Sequence, residues 1–332
     1  MASVELSIDL GSKFITIYQK GIGPVLREPA IAIVTQSKGR LEIREAGYRA
    51  QNIMTGSLGG AKIIAPIKEG IVVDEEMAAM LLKYFLKKIL PSGLVSPRIK
   101  AIVSICMSSS GSERRAVEKC CLKAGIKEMT IVEAPLSLLA YTGSIGGLFV
   151  DIGGGKTEIS AVTNRGIAAG CSVNIAGDAF NSAMIDSFYK NYGVRVGEFT
   201  MENLKKSALS FFLNDVGTYV ISGGGRDGSP RSLPVSAEEM RNAVLPLVDD
   251  IIEVIMSVLN QTPPELAAEI LRKGIFVTGG SMHIPGLHEY LEQALELPIT
   301  ILRDLENAVA AGGAKFFDNK VLLGDMLGIK LS

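Results

Sequence analysis

Neither charge sign is in excess in this 332-residue chain: 34 Lys and Arg stand against 35 Asp and Glu, for a net charge of −1. Without a basic field, bulk electrostatics favours neither nucleic acid nor an anionic surface as a partner, and nucleic acid is not expected. Histidine is scarce; His283 and His288 are too few and too isolated to suggest a metal site. The four cysteines (Cys106, Cys120, Cys121, Cys171) lack metal-ligand spacing and read as core thiols in a reducing cytosol. Long hydrophobic runs are also missing. The longest uncharged run, between Glu133 and Asp151, is broken by Pro135, Ser137, Thr142 and several glycines, and is too short to span a bilayer. The chain opens on the strand-like "SVELSIDLG" with nothing resembling a signal peptide, so a cytoplasmic location is expected. Apolar residues at 47% and charged residues at 21% match an ordinary globular composition, long enough for two domains.

Glycine is plentiful, and its placement is informative. In "GGLFVDIGGGKTEIS" (146–160) an apolar strand ends on Asp151, three glycines follow, and a second strand begins. A glycine turn offers successive backbone N–H groups with no Cβ in the way, a concavity suited to an anion, while Asp151 suits the cation that accompanies a phosphate. A plain hairpin is the competing reading. "SIDLGSKFITIYQ" (7–19) repeats the plan about one domain length earlier, with Asp9 in the place of Asp151. A third turn, Gly279–Gly280, follows "GIFVT". Repetition favours two similar α/β lobes that grip one nucleotide in a central cleft.

Helices are well marked. In "EEMAAMLLKYFLKKIL" (75–90), Met77, Met80, Leu81 and Tyr84 share one face. Cys120 and Cys121 fall on the apolar side of "ERRAVEKCCLKAG", which Gly125 closes. Ser236 and Glu239 form a capping box, and in "TPPELAAEILRK" Thr262 is expected as N-cap with Pro263 at the first helical position. The glycine-rich stretches 56–60 and 222–232 read as surface loops.

With these motifs together, the chain resembles the actin-like ATPases, and among them the bacterial MreB cell-shape family, from about residue 4 to 317. The resemblance rests on "SIDLGS", "IAPIKEGIVVDEEMAAMLLKYF", "ERRAVEKCCLKAGIKEMTIVEAP", "FVDIGGGKTEIS", "GEFTMENLKKS" and most specifically "TPPELAAEILRKGIFVTGGSMHIPGL". It implies an α/β actin-like fold of two lobes, each carrying an inserted smaller subdomain. The implied divisions are 1–30, 70–145 and 306–332 for subdomain IA, 31–69 for IB, 146–180 and 241–305 for IIA, and 181–240 for IIB. The implied function is slow ATP hydrolysis coupled to polymerisation into membrane-associated filaments that organise cell shape and cell-wall synthesis.

The resemblance also implies roles for individual residues. Asp9 and Asp151 lie near Mg²⁺, and Gly11 with Ser12 and Lys13 lies at the inner phosphates. Gly153, Gly154, Gly155 and Thr157 surround the outer phosphates, Asp151 and Thr157 being counted with the catalytic set. Glu133 positions the attacking water. Gly177 and Asp178 pass the ribose, Glu202 and Lys205 flank adenine, and Gly279, Gly280 and Ser281 line the nucleotide's other side. Phosphoryl transfer to water needs charge neutralisation and a placed nucleophile more than covalent chemistry, which suits this set. Each residue also has a plainer reading: Glu133 as a surface residue before Pro135, Glu202 and Lys205 as a solvated helix pair, Gly279–Gly280 as a simple turn.

Departures from the family pattern concentrate at the phosphate loops. Lys13-Phe14-Ile15 stands where Ala-Asn-Thr is usual, Lys156 where Thr is usual, and Glu133 is followed by Ala134 rather than a second Glu. Ile105 to Ser108 replaces a Val-Pro-Ser-Gly turn, and Ala176-Gly177 replaces a glycine pair. The extra lysines place hydrolysis at risk, leaving a scaffold filament with decayed turnover as an alternative, beside a small-molecule kinase of the same superfamily. An Hsp70-like chaperone would need a further peptide-binding domain, and the last core helix is expected near Ser332. Leu94 and Val95 in "LPSGLVSPR" match the family's apolar membrane loop, or else tuck into the core. The resemblance thus implies self-association, contact with the inner membrane surface, and cell-wall synthesis partners.

Overall fold

In the computed structural model of the chain, residues 3–37, 40–53, 60–91 and 97–328 are described. Stretch 56–59 and the pair Leu94 and Val95 lie outside the described residues. The chain divides into two compact units, Met1–Gly146 with Val162–Ile167 and Glu306–Ser332, and Gly147–Ala161 with Ala168–Leu305.

The first unit is organised by a five-stranded sheet ordered Glu128–Glu133, Arg98–Ile105, Ser3–Leu10, Phe14–Gln19, Gly23–Pro29. The first three strands run parallel and the last two antiparallel. Near-continuous apolar runs such as Ala101–Ile105 follow from burial of a parallel strand on both faces. Helices Glu75–Ile89 and Gly111–Ala124 pack on one another, and Leu81, Leu82, Phe85, Cys120 and Cys121 enter the same core as Leu6, Ile8 and Val103. Burial pushes the Cys120 thiol up to about 12 and the Cys121 thiol up as well, so both stay protonated packing groups.

Another helix, Ala308–Lys315, packs on helix Ala134–Thr142 and strand Ser3–Leu10. Contact is close enough to explain the sequence "AVAAGGAK". A Cβ on Gly312 would lie 1.8 Å from the Ser137 carbonyl oxygen, and one on Gly313 would lie 2.3 Å from Ser7 Oγ. A smaller three-stranded sheet, Arg40–Ala46, Ala32–Ser37, Lys62–Ile64, belongs to the same unit.

The second unit holds a sheet ordered Gly166–Val173, Thr157–Thr163, Gly146–Ile152, Ile275–Thr278, Ile299–Ile301, with the last three strands parallel. Helices Gly177–Tyr192 and Ala237–Gln261 pack together and share its core through Phe180, Met184, Val244 and Val248. Ser236 and Glu239 form the expected capping box, and Gly125 closes its helix at φ 104°.

Met77 and Leu81 enter the core with Met80 and Tyr84 packed against it, as the shared face implies, and the buried face extends to Ala78, Leu82 and Phe85. Three local expectations are corrected. Thr262 does not open a helix. It closes the preceding one, its hydroxyl donating to the Val258 carbonyl at 2.8 Å, and Pro263 caps a helix that starts at Pro264. The cause is the double proline, because a residue before proline is pushed out of the α region. Residues 222–232 are mostly a hairpin, Thr218–Gly225 with Pro230–Ser236. Gly223 answers to crowding, since a Cβ there would lie 2.4 Å from the Arg195 carbonyl of the neighbouring strand. Cys171 is exposed on strand Gly166–Val173, whereas the other three cysteines are buried.

Gly312→Val is therefore expected to lower stability by about 1–3 kcal/mol or more through overpacking. Gly224→Ala, where an added Cβ meets nothing within 4 Å, should change it by less than about 0.5 kcal/mol. Shifts in the urea unfolding midpoint check the pair, and equal effects would refute the close helix contact.

Candidate functional site

In the first unit, the ends of the three parallel strands bring chemistry to one edge. Asp9 is in register with Ser104, and Glu133 with Ile105, so Asp9 and Glu133 occupy the carboxyl edge of the two strands that flank Arg98–Ile105. That edge is where α/β sheets bind ligands, because helix N-termini and turns converge there. The Gly11–Lys13 turn joins strands Ser3–Leu10 and Phe14–Gln19 as expected. A Cβ on Gly11 would lie 2.8 Å from the Phe14 carbonyl oxygen. Ser12 Oγ accepts a hydrogen bond from Gly70 N–H at 2.6 Å, and the Lys13 carbonyl accepts one from Ala30 N–H at 2.9 Å. Phe14, which departs from the family pattern, carries the Arg27 guanidinium 3.6 Å above its ring centroid.

Glu133 caps helix Ala134–Thr142 with extended backbone, φ −71° and ψ 137°, and its side chain makes no capping bond. Its Oε1 accepts instead from Arg114 Nη2, while Arg114 Nη1 donates to the Ile131 carbonyl at 3.2 Å. Sequence reasoning missed Arg114, because nothing local links residue 114 to residue 133.

The second unit assembles more of the expected residues in one place. The Gly153 carbonyl is the meeting point. It accepts from Gly177 N–H at 3.2 Å and from the Ser281 hydroxyl at 3.1 Å, while Gly153 N–H donates to Lys156 at 3.0 Å. Asp178 N–H donates to the Gly154 carbonyl at 2.8 Å. Helix Gly177–Tyr192 has no side-chain N-cap, and these loop carbonyls take its first donors. Lys205 then reaches back from helix Glu198–Ala208, its Nζ donating to the Gly177 carbonyl at 2.8 Å. A Cβ on Gly177 would lie 3.1 Å from Lys205 Nζ, 3.4 Å from the Gly153 oxygen and 3.5 Å from Ser281 Oγ, so the three segments close tightly around this glycine.

Asp151 ends strand Gly146–Ile152 in register with Thr278. Gly279, at φ 94°, follows Thr278, and a Cβ there would lie 2.4 Å from both Asp151 Oδ1 and the Ile152 oxygen. Only glycine tolerates both that φ and that approach. Gly280 and Ser281 open a 3₁₀ turn, Gly280–His283. Thr157 is fully buried, and its hydroxyl donates to the Ile175 carbonyl at 2.5 Å, which ties the loop to the segment before helix Gly177–Tyr192.

Lys205 is only 8% exposed. Its ammonium is 2.7 Å from Glu202 Oε2, which Asn181 Nδ2 also approaches to 2.7 Å, and Lys206 lies 3.0 Å from Oε1. Burial works against the Glu202 carboxylate, but the Lys205 charge and hydrogen bonds from Lys205, Asn181 and Lys206 outweigh it and hold the carboxyl at about 2. Glu202 and Lys205 are thus not a solvated surface pair. Asn181 Oδ1 is buried without a hydrogen-bond partner. Sequence reasoning missed Asn181 as well; its position one turn after Gly177 in the same helix was the available signal. Among the described residues, no three His, Cys, Asp or Glu side chains gather as a metal-binding group.

A chain whose two units each carry an Asp-ended strand and glycine turn at a sheet edge has the actin-like ATPase fold. MreB5 of Spiroplasma citri, solved bound to AMPPNP, superposes with a TM-score of 0.87 at 25% identity, covering 99% of this chain and 100% of that one. The MamK double helical filament shares the fold alone, with a TM-score of 0.81 at 19% identity over 96% of this chain and 99% of that one. The family model for MreB/Mbl protein matches residues 3–324. The Escherichia coli K12 cell shape-determining protein MreB is 30% identical over 324 residues, 95% of this chain and 93% of its own length. Bacillus subtilis Mbl, also a cell shape-determining protein, is 30% identical over 328 residues, 96% of this chain and 97% of its own. The chain belongs to the MreB/Mbl family, an actin-like cytoskeletal class.

Between pH 4.5 and 2 the unfolded chain takes up a proton at Glu202 that the folded protein resists, so this pairing stabilises above that window and is lost as pH falls through it. Glu202→Gln should accordingly lose less stability than wild type between pH 5 and pH 2.5 in urea titrations. Equal losses would refute the pairing.

Proposed function

We propose that this protein binds ATP with Mg²⁺, hydrolyses it slowly and polymerises into filaments at the inner face of the cell membrane, where they organise cell shape and wall synthesis. The observation that carries the reading is the convergence of Gly153, Gly177, Lys205 and Ser281 on space kept free of Cβ atoms. An adenine nucleotide suits the residues present. Glycine backbone at a strand end and helix start leaves room for phosphate oxygens. The orphaned Asn181 Oδ1 supplies an acceptor for a hydroxyl or amino donor of the nucleoside. The ion pair of half-buried Glu202 with buried Lys205 forms a polar wall for the base.

Mg²⁺ would be held by Asp9 and Asp151 through its waters, supplying charge neutralisation on the transferred phosphoryl group. Each of these carboxylates stands at a strand end beside a glycine turn, which suits a hydrated Mg²⁺, since that ion keeps several of its waters. Glu133, at the edge that also carries Asp9, accepts a proton-bearing contact from the attacking water and orients it. MreB5 of Spiroplasma citri bound to AMPPNP supports nucleotide binding, and filament-forming MamK, at the level of fold, supports self-assembly.

Membrane attachment is assigned to Leu94 and Val95. Two aliphatic side chains contribute only about 3–6 kcal/mol on burial, so attachment depends on many subunits in one polymer. No helix among the described residues is long and apolar enough to cross a membrane.

Calorimetry should show Mg²⁺-dependent ATP binding that Asp151→Ala weakens at least tenfold. Glu133→Ala should lower kcat by about a hundredfold with KM within twofold. Absence of ATP binding removes the central reading. In a separate assay, ATP should produce filaments in negative stain that pellet with anionic liposomes. Leu94→Ser with Val95→Ser should abolish pelleting and leave nucleotide binding intact; loss of both properties would place these residues in the core.

A further inference from the structure

Arg114 occupies the first turn of helix Gly111–Ala124, which starts from a complete capping box between Ser110 and Glu113. A cation is poorly placed there, because unpaired N–H groups make a helix N-terminus electropositive. Glu113 obeys the dipole rule and Arg114 breaks it. A local rule broken this way is offset by a contact elsewhere, and here the contact is with Glu133.

Geometry makes that contact directional. One arm of the guanidinium, Nη1, is anchored on the Ile131 carbonyl at 3.2 Å, in the strand that ends at Glu133. The other arm, Nη2, donates to Glu133 Oε1. Glu133 Oε2 takes no hydrogen bond from the described residues. A planar fork with one arm fixed on backbone holds the carboxylate in a single rotamer, which a flexible ammonium could not do as well. Oε1 is committed and Oε2 is presented as the acceptor.

We propose that Arg114 is the positioning residue for hydrolysis: it fixes the Glu133 carboxylate so that Oε2 alone accepts from the attacking water. This inference rests on the reading of Glu133 as the residue that orients water. No second glutamate follows Glu133; Ala134 stands there, so orientation comes from helix Gly111–Ala124 across the strand edge. Arg114 touches neither water nor phosphate in this role, and its removal should leave nucleotide affinity unchanged.

Steady-state ATP turnover by the full chain tests it, with wild type, Arg114→Gln, Arg114→Lys, Glu133→Gln and the double variant Arg114→Gln/Glu133→Gln. Thermal melts verify folding, and calorimetry measures ATP affinity. Arg114→Gln should lower kcat by about ten- to a hundredfold, the cost of a misplaced reacting group, with KM and ATP affinity within twofold. Arg114→Lys should recover part of the loss. The double variant should be no slower than Glu133→Gln alone, since positioning a missing carboxylate is worthless. Wild-type or faster turnover by Arg114→Gln, or losses that add in the double variant, would overturn the inference while leaving Glu133 in place. Unfolding of both Arg114 variants would also overturn it, making Arg114 a structural residue. Wild-type turnover by Glu133→Gln, or none by the unaltered protein with ATP bound, would remove the Glu133 reading and this inference together.

Discussion

The Gly153 carbonyl oxygen receives two hydrogen bonds, one from Gly177 N–H at the start of a helix and one from the Ser281 hydroxyl after a distant strand. Three segments far apart in sequence must bring backbone to backbone for this to happen. Side chains would crowd this meeting at Gly153 and Gly177 and block it at Gly279. A Cβ on Gly279 would overlap Asp151, and one on Gly177 would crowd Lys205 and Ser281. The second unit's site is therefore built from backbone first, with charge added around it. Helix Gly177–Tyr192 needs no polar side-chain cap because the glycine loop satisfies its first donors.

Charge is placed by the same economy in both units. Lys205 is buried yet satisfied by Glu202 and the Gly177 carbonyl, so its cost of desolvation is offset by an ion pair and a backbone acceptor. Arg114 is likewise divided between a carboxylate, Glu133, and a backbone carbonyl, Ile131. In each case one contact holds the cation in place and the other orients an acidic side chain assigned to the nucleotide. Two contacts from different directions fix each cation, so the acidic side chain it meets is fixed as well.

Much of this was legible in the sequence. Strand, aspartate, glycine turn and strand appear twice, and the structure has strand pairs at both places. Capping chemistry at Ser236–Glu239 and the Gly125 stop were equally plain, because each depends only on residues within one turn. The misreadings have physical causes. Thr262 was assigned forward although its hydroxyl bonds backward, and Pro263-Pro264 shifted the helix start by one residue. Composition makes the glycine-rich stretch 222–232 look like a loop, because it cannot separate flexibility from the crowding that a neighbouring strand imposes at Gly223.

Sequence alone determined the chemistry available and its local frame: which strands carry an aspartate at their ends, where turns lack Cβ atoms, and where a capping box or a glycine stop bounds a helix. These are properties of neighbours in the chain, set by backbone sterics and hydrogen bonding over a few residues. Tertiary structure alone decided the partnerships. Arg114 with Glu133, Asn181 with Glu202, Lys205 with Gly177 and Ser281 with Gly153 each join residues from separate elements. A charged or polar side chain can satisfy itself with any acceptor the fold brings near, so its partner is chosen by packing of the sheets and helices, which no local pattern records.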